Sequence, residues 1–206
     1  MNSNADDTVV SALRSLPPTQ PDDLDRLHRL LEVSAARDGL LAIAYRTIDT
    51  PVGSLLLAAT DSGLVRVAFE RENHDQVLET LATRLSPRIL RSPGRLDRAA
   101  FEIDEYFRRA RTTFDLALDR SLSSGFRLAV QEHLPTIAYG HTLSYARLAQ
   151  LAGSPKAIRA AATACATNPL PIVVPCHRVV RADGLLGGYA GGLEAKTALL
   201  TLESAA

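Results

Sequence analysis

The sequence predicts an α+β protein, with a small antiparallel sheet and accompanying helices followed by a mainly helical C-terminal domain. Three observations carry this. Short alternating apolar runs separated by turn residues occupy residues 41–69, helical patterns dominate beyond residue 125, and a two-helix pattern around Gly153 has helix-turn-helix spacing.

Taken in order, residues 1–40 combine a polar start, a Pro17-Pro18 break and a short helical pattern in Leu24, Leu27, Leu30 and Leu31, so they read as a partly disordered extension with one docking helix. Ile43-Tyr45, Leu55-Leu57 and Leu64 to Phe69 give three short strands, with Thr50-Pro51-Val52-Gly53 and Asp61-Ser62-Gly63 as turns, and a β-meander is their natural assembly. Helices are expected over His74 to Leu85 and Asp97 to Arg109, and a further strand over Thr113 to Leu118. Ser121-Leu122-Ser123-Ser124-Gly125 reads as a linker, which sets an N-terminal domain at 41–120 and a C-terminal domain at 125–206. The latter begins with a helix over Phe126 to Leu134. A first helix carrying Leu148 and Leu151 inward follows, then a turn at Gly153-Ser154, with Ser154 as N-cap and Pro155 opening a second helix to Ala166. The apolar run Pro171-Ile172-Val173-Val174 is too short for a helix and is expected to be extended, and a last helix spans about Leu193 to Leu202.

With 206 residues, 46% of them hydrophobic, the chain can bury one or two domain cores. Two cysteines exclude a disulfide framework and a four-cysteine zinc site, and nothing resembles a signal peptide or membrane span. A reducing, cytoplasmic setting is expected, nucleoid-associated in a bacterium, with no metal and no cofactor. The net charge is zero, but residues 1–40 carry −3 and residues 125–206 carry +3, so the basic excess falls where the helix-turn-helix lies. That excess is modest and implies few phosphate contacts.

Chemistry is concentrated in Pro175-Cys176-His177-Arg178-Val179, where one of the two cysteines stands beside a histidine at the end of the apolar run. A free thiol has a pKa of about 8.5, and a neighbouring imidazole can supply the thiolate that a nucleophile requires. The competing reading is a buried structural cysteine. The second helix of the pair, from Pro155 to Ala166, holds six alanines, and such a thin helix can approach a nucleic-acid groove closely.

These segments resemble the O6-alkylguanine-DNA alkyltransferases. The resemblance rests on Pro175 to Val179, on Asn168-Pro169 seven residues earlier, on Tyr139-Gly140 leading to Ser144-Tyr145, and on Lys156-Ala157-Ile158-Arg159-Ala160. It continues through Gly188-Tyr189-Ala190-Gly191-Gly192-Leu193 to Leu199-Leu200-Thr201-Leu202-Glu203, with a weaker match back to about Ile43. It implies a ribonuclease H-like N-terminal domain and a monomer that repairs double-stranded DNA by direct reversal in a single turnover. Cys176 would be the permanent alkyl acceptor, His177 its base through a water, and Glu203 the group orienting the imidazole. Tyr145 would assist departure of guanine, and Asn168 would be the hinge between recognition helix and active-site segment.

The target base must leave the stack to be reached. The resemblance has Arg159 fill the gap it leaves, with Lys156, Ala160, Ser144 and Tyr145 also at the DNA, in the minor groove. Pro171, Val179, Tyr189 and Ala190 would line the base pocket, and Arg178 reads as a structural ion-pair residue. Gln131, Pro135, Ala161-Ala162 and Cys165 depart from the family pattern. Three other classes compete: a non-enzymatic lesion-binding protein, which would lack the acceptor cysteine; a helix-turn-helix regulator, whose cysteine-rich sensor residues 1–124 do not contain; and a cysteine hydrolase.

Overall fold

A computed structural model describes residues 21–204, and the polar segment expected to be disordered lies largely outside them. The chain divides into two units at Leu40. In the first, helix α1 (Pro21–Arg37) contains the anticipated leucines, and Leu24, Leu27, Leu30 and Leu31 are all exposed.

The second unit starts with the meander, β1 (Ile43–Thr50), β2 (Gly53–Thr60) and β3 (Gly63–Phe69), each strand antiparallel to the next. Gly63 has φ 131, and a Cβ there would run into the Ala117 backbone, so the second turn requires glycine. Helix α2 (His74–Arg84), capped by the Asn73 side chain, leads to β4 (Ile89–Arg91), which pairs parallel to β1 and completes the order β3-β2-β1-β4. This three-residue strand is too short to show a period in the sequence. Ile43, Leu56, Ala58, Val65 and Ala68 form one core with Val77 and Leu81 of α2. Full burial of each large apolar side chain contributes roughly 1.5–3 kcal/mol.

Helix α3 (Asp97–Phe107) buries Ala99, Ile103 and Tyr106, at i, i+4 and i+7. It stops short of the expected Arg109, which turns to φ 61. The strand expected over Thr113 to Leu118 does not form. That segment makes only an isolated bridge with β3, in which Leu64 N donates to Ala117 O and Asp119 N to Leu64 O, both at 2.9 Å. Its alternation reflects the covering of the β3 edge, which also receives Pro169, whose carbonyl accepts from Val67 N at 2.8 Å. The presumed linker is likewise docked: Leu122 is buried in the sheet core, and its carbonyl accepts from Arg84 and Arg127.

Beyond it come α4 (Gly125–His133), β5 (Leu143–Ser144), α5 (Tyr145–Leu151), α6 (Ile158–Ala166), β6 (Val179–Val180) and α7 (Gly192–Ser204), with β5 and β6 parallel. The helix-turn-helix is α5 and α6, with two corrections. Leu148 is buried but Leu151, the last residue of α5, is 38% exposed, because at about 100° per residue it lies about 60° from Leu148 on the side away from buried Tyr145 and Ala149. The second helix begins at Ile158, not Pro155, because Ala157 N donates to Ser154 O at 2.8 Å and closes a tight turn over Pro155-Lys156; Ala157, not Ser154, is the N-cap residue. Buried Gln131 donates from Nε2 to Ala164 O at 3.0 Å, so this departure from the family pattern ties α4 to α6. Pro135 sits in the 3-10 turn Leu134–Thr136, where its missing N–H costs little.

Candidate active site

Asn168 follows α6 and organises what comes next. Its Oδ1 accepts from Leu170 N at 3.1 Å, while Nδ2 donates to Val174 O at 2.8 Å and to Cys176 Sγ at 3.2 Å. Val174 N also donates to Leu170 O at 2.8 Å. The Pro171 to Val174 run is therefore a series of turns and not the extended segment expected from its β-branched residues. Everything from Asn168 to Val179 is buried, so those side chains report an interior position, and the asparagine amide supplies partners that a strand neighbour would otherwise provide. Ile172 sits at φ 74, a region a β-branched residue occupies only when its surroundings enforce it.

Cys176 opens the 3-10 turn Cys176–Arg178 and is 2% exposed. Burial pushes its thiol up to about 11, against the opposing pull of the Asn168 amide and the Lys196 ammonium. The sequence suggested a thiolate supplied by the neighbouring imidazole. The site instead holds a resting thiol whose proton must leave during the reaction.

His177 is fully buried, and its Nε2 lies 2.8 Å from Glu203 Oε1. Burial lowers the imidazole pKa against the opposing effect of Glu203, so it is neutral near pH 7. Glu203 is 2% exposed, and burial alone would raise its pKa. Hydrogen bonds from His177, Arg178 and Tyr106 outweigh that and bring it to about 2. With His177 neutral, the charge that opposes the carboxylate is the Arg178 guanidinium, whose Nε and Nη2 reach it at 2.9 and 3.0 Å. An ionised carboxylate only accepts, so His177 Nε2 carries the proton and Nδ1 is the free base position. Nδ1 is buried and has no hydrogen-bond partner among the described residues.

Three residues of this network escaped or exceeded the sequence reading. Arg178, expected as an ion-pair residue, also donates from Nη1 to Ile137 O at 2.6 Å. Lys196 on α7 is fully buried, with Nζ donating to Val179 O at 2.6 Å and lying 5.9 Å from the Tyr145 ring centroid. Tyr106 on α3 donates its hydroxyl to Glu203 Oε1 at 2.7 Å. A signal existed for both missed residues: Lys196, Leu199 and Glu203 fall on one face of α7, and Tyr106 ends the buried stripe of α3, where a phenol needs a partner.

Tyr145 is buried at the start of α5 with its pKa pushed up to about 12 by that burial, so its hydroxyl is a donor throughout the physiological range. A Cβ at Gly187 would overlap that hydroxyl. Tyr189 packs edge-on against Phe69 and His177, at centroid distances of 5.5 and 6.3 Å. Pro171 and Val179 are buried and Ala190 is half-buried. Ser144 caps α5, its Oγ accepting from Arg147 N at 3.2 Å. Lys156 is exposed in the turn before α6, and Arg159 and Ala160 are exposed on the first turn of that helix, whose inward positions are Ala161, Ala164 and Cys165. Asn168, Cys176, His177 and Glu203 are thus gathered in one buried cluster, and the Lys156 to Ala160 group stands on the surface.

A buried thiol backed by an imidazole–carboxylate pair and carried beside a helix-turn-helix defines a cysteine-bearing protein of nucleic-acid-binding architecture. Two family models match the chain: the ribonuclease-like domain of 6-O-methylguanine DNA methyltransferase over residues 43–120, and its DNA binding domain over residues 125–205. The methylated-DNA–protein-cysteine methyltransferase of Mycobacterium tuberculosis is 41% identical over 161 residues, covering 78% of this chain and 92% of the relative. The constitutive methylated-DNA–protein-cysteine methyltransferase of Bacillus subtilis is 37% identical, covering 77% and 94%. Among solved structures, that of Mycobacterium tuberculosis OGT in complex with DNA matches with a TM-score of 0.69 and 39% identity over 79% of this chain and 93% of that one. The chain belongs to the 6-O-methylguanine DNA methyltransferase family.

Proposed function

We propose that this protein repairs O6-alkylguanine in double-stranded DNA by moving the alkyl group irreversibly onto Cys176. The observation that carries the reading is the buried cluster in which Asn168 touches the Cys176 sulfur and Glu203 holds His177 with Nδ1 free. In the reaction the sulfur bonds to the alkyl carbon as the bond from that carbon to guanine O6 breaks. The thiol proton passes through a water to His177 Nδ1, and the departing guanine takes up one proton in exchange. Tyr145 faces the base as a neutral donor to a ring nitrogen, which stabilises the leaving group. The thioether offers no return path, so each molecule acts once.

The base reaches the thiol by leaving the stack, with Arg159 taking its place while Lys156, Ala160, Ser144 and Tyr145 meet the DNA. Ala160 and the half-buried Ala162 beside Arg159 keep that face of α6 thin and suit minor-groove entry, and that groove's limited code suits repair in any sequence context. Pro171, Val179, Tyr189 and Ala190 form the base pocket. Residues 41–120 act as a supporting domain and residues 125–206 as the DNA-binding and active-site domain of a monomer. We place this activity in the cytoplasm; among the described residues no helix is long and apolar enough to cross a membrane.

Incubation with a duplex containing one O6-methylguanine, followed by intact mass and peptide mapping, tests the reading. The expected outcome is one methyl on Cys176 and a product plateau at about one equivalent, retained in Cys165→Ser and lost in Cys176→Ser while DNA binding persists. Turnover beyond one equivalent, or methyl on Cys165 alone, overturns it.

A further inference from the structure

We propose that Tyr106 is a positioning residue for the His177–Glu203 pair: its hydroxyl donates to the same carboxylate oxygen that accepts from the imidazole, and so sets where that oxygen stands and how strongly it draws on His177. The proposal rests on the reading of Cys176 and His177 given above.

Glu203 Oε1 receives Tyr106 Oη at 2.7 Å, His177 Nε2 at 2.8 Å and Arg178 Nη2 at 3.0 Å, while Oε2 receives Arg178 Nε at 2.9 Å and Gly140 N at 3.2 Å. Tyr106 Oη and His177 Nε2 are 3.5 Å apart and both donate, so they flank one shared acceptor. Donors that share an oxygen compete for its charge. Loss of the phenol leaves more of that charge to the imidazole, and the imidazolium form becomes easier to reach.

Tyr106 reaches the pair from outside the DNA-binding half of the protein. Tyr106 is fully buried on α3, its ring caged by Phe107, Phe114 and Tyr139 at centroid distances of 5.4, 5.5 and 6.1 Å. Burial, followed by the Glu203 charge, raises the phenol far above its ordinary pKa, so it donates at every pH where the protein is folded. The charged and titratable groups facing the pair are Arg178 from the same turn, Lys196 from α7, Tyr139 from the loop after α4, Tyr189 from the loop before α7, and Cys176. Among the described residues, the side-chain donors to Glu203 alongside His177 are Arg178 and Tyr106. Tyr106 is the uncharged one, so removing its hydroxyl alters the oxygen without altering the net charge of the site.

The test is Tyr106→Phe in the full chain. Single-turnover rates are measured on free O6-benzylguanine and on a duplex containing one O6-methylguanine across the acid and neutral range, together with the melting temperature. The acid limb of the rate profile should move up by about one pH unit on both substrates, which is about a tenfold loss below the limb, with the rates converging above it. Phe114→Leu, which loosens the ring cage and keeps the hydroxyl, should lower the melting temperature and leave the limb in place. An unmoved limb in Tyr106→Phe overturns the proposal, and so does an equal displacement in Phe114→Leu. Should Tyr106→Phe fail to fold, proton NMR of the unaltered protein decides. A slowly exchanging Tyr106 hydroxyl proton with a cross-peak to His177 Nε2–H is expected, and its absence overturns the assignment. Wild-type protein alkylated at Cys176 together with an unmoved limb removes the role of Tyr106 alone, whereas no alkyl on Cys176 removes the underlying reading and this proposal with it.

Discussion

Cys176 and Tyr145 share a property that burial imposes: each is held in its neutral form, the thiol with a pKa of about 11 and the phenol with one of about 12. In the reaction we propose, the neutral phenol serves the departing guanine as a donor and the thiol gives up its proton to His177 Nδ1, which has no hydrogen-bond partner among the described residues. The same burial leaves little space around the phenol. In Gly187→Ala the new methyl meets the Tyr145 hydroxyl, so we expect alkyl transfer to fall by at least tenfold on free base and duplex alike while DNA affinity holds, as measured by single-turnover assay and fluorescence anisotropy. A loss restricted to duplex DNA would count against a pocket role for this glycine.

Among the elements, α6 and the turns after it divide the work between surface and interior. Arg159 is exposed on the first turn of α6, so Arg159→Ala should impair repair of duplex DNA by tenfold or more and leave the reaction with free O6-benzylguanine within about twofold, since only the duplex requires extrusion of a base. Equal losses on both substrates would argue against an intercalating role. Asn168 joins α6 to the thiol turn by three side-chain hydrogen bonds inside the core. Asn168→Ala leaves Val174 O and Leu170 N without those partners, and denaturant unfolding should show a loss of about 2–4 kcal/mol. An effect below about 1 kcal/mol would mean that the turn holds its shape without the amide.

At the scale of the whole molecule, titration of the buried cluster sets the pH range of the fold. Glu203 and His177 both have folded pKa values below their ordinary ones, so the stability they contribute is complete above about pH 6.5. It declines on acidification, first through His177 and then through Glu203 between pH 4.5 and about 2. Cys176 has the opposite sign: its contribution is complete below pH 9.0 and is lost as pH rises through about 11. Thermal melts across pH should therefore fall on both sides, and Cys176→Ser should lessen the alkaline fall, to which buried Cys165 and Tyr145 also contribute, while leaving the acid side in place. Residues 1–40 carry a net charge of −3 and contain none of the site residues, so their deletion should leave alkyl transfer intact. Abolished transfer in a truncated protein that is still folded would make them part of the catalytic assembly.

The sequence by itself determined the α+β class, the three-strand meander and the helix-turn-helix, and singled out Cys176-His177, because periodicity, turn residues and short motifs are local properties of the chain. Asn168 and Glu203 stand out only through the resemblance to the family. Only the tertiary structure decided what burial does to them. It made turns of Pro171 to Val174, whose β-branched residues look the same in a strand as in any buried segment. It reduced the apolar alternation at Thr113 to Leu118 to cover for a sheet edge, and placed the helix start at Ile158 by a turn that a cap pattern does not reveal. It also brought Tyr106 to Glu203, 97 positions away in the chain, and Lys196 to the Val179 carbonyl, 17 positions away. Hydrogen-bond partners separated by most of a domain leave no local pattern, since their juxtaposition depends on how the sheet, α3 and α7 pack together.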